Sequence, residues 1–83
     1  MTIEQRLRTY ILDSFLFTDD ESVLDNDDSF LEKGIIDSTG IMEMVSFLEQ
    51  EFGIQVDDED MVPENLDSVS RIIASVSRKR ALV

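Results

Sequence analysis

Asp37-Ser38, set between Gly34-Ile35-Ile36 and Thr39-Gly40-Ile41-Met42-Glu43-Met44, is where a side chain of this sequence is best placed for covalent chemistry. A helical apolar pattern begins immediately after Ser38, so its hydroxyl is expected in the first turn of a helix. There, unpaired backbone N–H groups and the positive end of the helix dipole favour a phosphate group carried on that oxygen. The same two residue types are also ordinary helix caps, which require no further chemistry. With no His and no Cys in the chain, serine-histidine and cysteine-histidine catalysis are excluded within it, as are disulfides and thiolate or imidazole metal sites. Asp25-Asn26-Asp27-Asp28-Ser29 alternates oxygen ligands as a calcium loop does. However, Phe30 occupies the sixth position where Gly is needed, and Ile36 occupies the twelfth where an acid is needed. No catalytic residue and no metal ligand is expected.

Eighty-three residues allow one domain, 1–83, with one small core and little room for an enclosed active site. A 42% hydrophobic content with three Gly and one Pro suits a folded helical domain rather than a disordered segment. The amino terminus lacks a basic stretch followed by an apolar run, and no run of apolar residues is long enough to span a bilayer. A cytoplasmic protein without membrane insertion is expected. The net charge of −12 is unevenly spread: Gly34 to Ser70 holds ten acidic residues and no Lys or Arg, while all seven cations lie outside that window. Such a face repels nucleic acid and anionic membranes and draws basic patches of partner proteins, although a merely solubilising surface would read the same way.

The elements that must position Ser38 follow from periodicity. Ile3, Leu7, Tyr10, Ile11 and Phe15 recur at helical spacing behind Thr2, an N-cap whose box is completed by Gln5, predicting a first helix from Thr2 to Leu16. Residues 17–36 have no sustained period. They read as a long loop pinned by Val23, Leu24, Phe30, Leu31, Ile35 and Ile36, with a turn near Ser29–Glu32 closed by Gly34. In the second helix, with residues about 100° apart, Val45, Leu48 and Phe52 fall within about 40° of Ile41, and Met44 lies about 60° to one side. Ser38, Met42, Ser46 and Glu49 share a neighbouring face, and Gly53 closes the helix. An apolar Met beside a serine and ringed by acids has the make-up of a small recognition surface, or else Met42 covers a loop. Asp57-Asp58-Glu59-Asp60-Met61 predicts a short acidic helix and Pro63-Glu64-Asn65 a break. A last helix with Val69, Ile72, Ile73 and Val76 inward is expected to be capped by Asp67 and to end near Arg80.

One helix, a long pinned loop, a helix opening at Asp-Ser, a short acidic helix and a closing helix together resemble the acyl carrier protein family. The match is carried by Phe30-Leu31-Glu32-Lys33-Gly34-Ile35-Ile36-Asp37-Ser38, Glu43, Leu48-Glu49-Gln50-Glu51-Phe52 and Asp57 to Glu59. The resemblance implies an all-α four-helix bundle of three longer helices and one short one. It implies that Ser38 receives 4′-phosphopantetheine from coenzyme A through a phosphopantetheinyl transferase, with Asp37 flanking it. An acyl or aminoacyl group then rides as a thioester on the arm, loaded by an activating ligase and passed to a downstream transferase or synthase. Met42, Glu43, Glu49, Val56 and Asp58 match positions that meet partners, and the carrier itself, a monomer, is no enzyme.

Two departures stand out: Thr39 replaces the Leu usual after the serine, and Gly40 replaces the acid usual next in fatty-acid carriers. Ser46 and Phe47 depart in the same direction. Gly34 to Gly40 looks closer to stand-alone carriers that serve a dedicated ligase, including D-alanyl and aminoacyl carriers. The competing reading is a small acidic helical adaptor that binds basic partners and uses Ser38 only as a cap.

Overall fold

The computed structural model describes residues 2–81; residues 1, 82 and 83 of the expected single unit lie outside them. The described chain is all-helical, with α1 at Ile3–Ile11, α2 at Ser38–Phe52, α3 at Pro63–Leu66 and α4 at Val69–Ala81. Thr2 caps α1 through the anticipated box: its side chain accepts from Gln5 N, and the Gln5 side chain accepts from the Thr2 amide. The chain stays helical to Leu16, but residues Leu12–Leu16 widen into a π-turn. That wider turn carries Leu12 into the core at 3% exposure, a position a regular helix pattern based on Ile3 and Leu7 does not select.

α1 and α2 run antiparallel. The pairs along them are Arg6–Glu51 as an ion pair and Tyr10–Phe47 as stacked rings with centroids 3.9 Å apart, and beyond them Phe15 of the π-turn that continues α1 lies against Gly40. Phe52 and Phe15 extend this aromatic seam edge-on at 6.0 and 5.7 Å. The C-terminal end of α1 therefore lies beside the N-terminal end of α2. Leu7, Ile11 and Leu12 of the first helical stretch, Met44, Val45 and Leu48 of α2, and Val69, Ile72 and Val76 of α4 close on one another around Phe30, which is fully buried. Met44 is buried, whereas Ile41 and Phe52 are only half-buried, so the buried stripe of α2 is rotated toward Met44 and Gly40. The aromatic seam with α1 covers that side.

The long connection holds because its ends and middle are tied. Leu24, Phe30 and Ile36 are buried, but Val23 and Leu31 are about half exposed and do not pin it as expected. A short 3₁₀ turn at Glu21–Val23, with Asp20 as its cap, was not visible in the apolar pattern. Arg8 clamps this part of the connection, donating to the Glu21 carbonyl at 2.8 Å and to Asn26 Oδ1 at 2.7 Å. Gly34 closes the predicted turn at φ 66°, and Gly53 ends α2 at φ 65° while donating to the Glu49 carbonyl, as C-terminal glycines do.

Three features after α2 differ from the sequence expectation. The acidic run forms only a 3₁₀ turn at Asp58–Asp60, and Pro63, expected as a break, instead opens α3 as its first residue, where a missing N–H costs nothing. α4 is capped by Ser68, whose Oγ accepts from Arg71 N at 3.2 Å, and not by Asp67. Asp67 faces the long connection: its side chain accepts from Ser29 Oγ and from Leu31 N at 3.1 Å, and its carbonyl accepts from Phe30 N at 2.9 Å.

Candidate functional site

Asp37 is the N-cap of α2, in extended backbone conformation, and its Oδ1 accepts from Gly40 N at 2.7 Å. Its carbonyl takes the Ile41 amide at 2.9 Å. Ser38, exposed, is the first residue of the helix, and among the described residues its Oγ enters no hydrogen bond. The capping that the dipeptide could have assigned to either side chain thus falls to the aspartate, and the hydroxyl is spared. Asp37 Oδ2 likewise has no hydrogen-bond partner among the described residues.

Gly40 explains why the first turn of α2 sits where it does. A Cβ there would stand 2.8 Å from Ile36 Cγ2, 2.8 Å from Phe15 Cε1 and 3.3 Å from Asp37 Oδ1. Phe15 and the fully buried Ile36 therefore press directly on the helix backbone next to the cap. The sequence marks Gly40 only as a missing acid; its packing role depends on Phe15 of the π-turn after α1 and on Ile36 of the connection, which no local pattern identifies.

On the opposite flank, Ser38 borders an apolar cleft of about 130 Å³, with Leu31, Ile41, Met61, Val62 and Leu66 on its walls. Asp67 reaches the same cleft while holding the connection in place. The hydroxyl therefore opens both to solvent and onto an apolar wall. A phosphodiester arm fits here: the oxygen is unengaged, the helix end offers partial positive charge, and the cleft can accept the less polar part of a chain.

The other residues singled out by sequence fall into separate settings. Met42, one turn after Ser38, is 54% exposed, and Glu43 is also exposed. Glu43 lies on the α1 flank, where its charge and burial together raise the Tyr10 phenol above its usual range, burial being the larger cause. Asp58 is exposed on the 3₁₀ turn. Glu49 is half-buried and its Oε2 accepts from Val56 N at 3.1 Å, fastening the segment after α2 to the helix. Val56 itself is buried against the core, which takes its side chain off the surface in this conformation. Ser38, Met42 and the Leu31 wall are thus brought together, while Glu49 and Val56 serve packing.

Comparison with known proteins accords with this geometry. The family model described as "Phosphopantetheine attachment site" matches residues 5–76. A probable acyl carrier protein, PigG, of Serratia sp. is 30% identical over 79 residues, covering 95% of this chain and 90% of that protein. The D-alanyl carrier protein of Streptococcus uberis is 33% identical over 78 residues, covering 92% of each. A solved structure described as "Crystal structure of FAD-dependent dehydrogenase" superposes with a TM-score of 0.72 at 24% identity, covering 84% of this chain and 97% of that one, and shows the fold alone. An all-helical chain that matches the attachment-site model over most of its length, with a spared serine opening its second helix, belongs to the phosphopantetheine-bearing carrier proteins and works as an acyl carrier with the arm covalently attached.

Proposed function

We propose that Ser38 is the residue that bears 4′-phosphopantetheine. The observation that carries this is the division of labour at the start of α2, where Asp37 caps the helix and leaves Ser38 Oγ exposed and unengaged. When bound, the arm supplies the terminal thiol on which an acyl or aminoacyl group is held as a thioester. The protein's own residues hold the attachment oxygen at a rigid helix end and set an apolar wall of Leu31, Ile41 and Met61 beside it. Asp37 Oδ2 is free to help a divalent ion approach when a phosphopantetheinyl transferase docks.

The partners on this reading are that transferase, an activating ligase and a downstream transferase or synthase. Met42, Glu43 and Asp58 form the exposed part of the surface they meet, on a monomeric cytoplasmic carrier that does no catalysis of its own. A dedicated ligase is favoured because Gly40, two residues after Ser38, stands where fatty-acid carriers usually have an acid. Incubation with coenzyme A, magnesium and a phosphopantetheinyl transferase is expected to add one phosphopantetheine to the intact mass, and Ser38→Ala to abolish the addition. A wild-type mass that does not change would favour the acidic adaptor.

A further inference from the structure

Phe17 is 82% exposed and adopts φ 54°, ψ 42°, the left-handed conformation. Both facts are unfavourable. A helix that ends in this conformation ordinarily uses glycine, because a Cβ there crowds the following carbonyl. Phe17 is the only non-glycine residue with positive φ among the described residues, and also the most exposed of their large apolar side chains. The strained turn is firmly held, with the Leu12 carbonyl accepting from the Phe17 and Thr18 amides. A bulky aromatic fixed where glycine is the default, with its ring in water, gains nothing for the fold. An outlier of this kind points to use at an interface.

Its position says which interface. The pairings Arg6–Glu51, Tyr10–Phe47 and Phe15–Gly40 run α1 toward the N-terminal end of α2. Phe17 lies two residues past Phe15, and therefore within about 7 Å of it along the chain. It therefore stands near the Ser38 end of the bundle, where Phe15 meets the first turn of α2. Asp13, Asp19, Asp20 and Glu21 surround it in sequence and are all exposed.

We infer that Phe17 is an aromatic anchor for the enzyme that modifies Ser38, entering an apolar socket rimmed by basic residues. This rests on Ser38 being the attachment site. The modifying enzyme is the occupant because it alone must bring its active site down onto the Ser38 oxygen, and so against the end of the bundle. Enzymes that act on the far end of the arm can stand off. Buried aromatic anchors within a charged rim are the residues that dominate such interfaces, and the acidic surround supplies the complementary charge.

The test uses the full chain, coenzyme A, magnesium and a phosphopantetheinyl transferase, and compares steady-state transfer on wild type, Phe17→Gly and Phe17→Leu. Phe17→Gly is expected to raise KM for the carrier about tenfold with little change in kcat, while its melting temperature stays the same or rises because the strained turn is relieved. Phe17→Leu is expected to keep most of the wild-type KM. Equal kcat/KM for wild type and Phe17→Gly overturns the inference. So does a wild-type dimer, seen in sedimentation, that Phe17→Gly dissociates without slowing transfer, since the anchor would then serve a second copy. Wild type that is never modified contradicts the assignment of Ser38 instead.

Discussion

Gly40 shows how one missing side chain can decide a structure at the scale of the residue. Alanine at an exposed helix position is favoured over glycine by about 1 kcal/mol. At Gly40 the added methyl must displace Ile36, which is buried and cannot yield, and Phe15 at 2.8 Å, an overpacking that costs about 1–3 kcal/mol. Gly40→Ala is therefore expected to destabilise by about 1 kcal/mol in denaturant unfolding, and Phe15→Leu in that background to recover part of the loss; stabilisation by Gly40→Ala would contradict the contact. Tyr10 offers a second residue-scale test, because it is the sole tyrosine and there is no tryptophan. Burial and the Glu43 charge both favour its neutral phenol. That contribution to stability is full below the ordinary phenol value of about 10 and declines as pH rises through the raised one. Phenolate absorbance during alkaline titration should show Glu43→Gln moving the midpoint down, with burial keeping it above the ordinary value. No movement would remove Glu43 from the neighbourhood of the ring. At this scale the Asp-Ser pair was legible because capping is local chemistry, whereas Gly40 is fixed by Phe15 and Ile36, Val56 by the core, and Glu49 by a loop amide, partners that helical periodicity does not identify.

The helices themselves were legible from periodicity and caps, while the segments between them were not. α2 has the predicted start and stop because Asp37 and Gly53 are local signals. Pro63 was misread because a proline that breaks one helix is also a favoured first residue of the next, and the apolar pattern of four residues is too short to separate these. Asp67 and Ser68 offered adjacent capping side chains, and tertiary structure assigned them, the first to the long connection and the second to α4. That assignment has a measurable consequence. Asp67→Ala removes a carboxylate that holds Ser29 Oγ and Leu31 N, and is expected to destabilise the bundle by about 2 kcal/mol, as loss of bonds to a charged group does. Amide exchange at Leu31 should accelerate more than exchange at Leu48. Uniform acceleration at both would mean that Asp67 supports the core as a whole and not the connection beside Ser38.

For the whole molecule, a charge of −12 and an acid-rich window predicted a surface for basic partners, and the fold keeps most of those acids exposed. Four cations pair with acids of the molecule itself: Arg6 with Glu51, Arg8 with Glu21, Lys33 with Asp28, and Lys79 with Asp60 at 2.6 Å. The Lys79 ammonium holds the Asp60 carboxyl below the ordinary range. A depressed folded value means that the pair stabilises above the unfolded value of about 4 and loses that contribution as pH falls through the folded one. The melting-temperature gap between wild type and Lys79→Met should accordingly be largest near neutrality and close in acid. A gap that does not depend on pH would assign it to packing of the Lys79 stem. Overall charge and length only narrowed the class of protein, which the run ending in Asp37-Ser38 then identified, and the proposed attachment oxygen is tested most directly by locating the added group. After transfer from coenzyme A, fragmentation of the modified peptide should place one phosphopantetheine on Ser38 and none on Thr39 or Ser46. Finding it on either neighbour, or a Ser38→Ala chain that is still modified, would contradict the account.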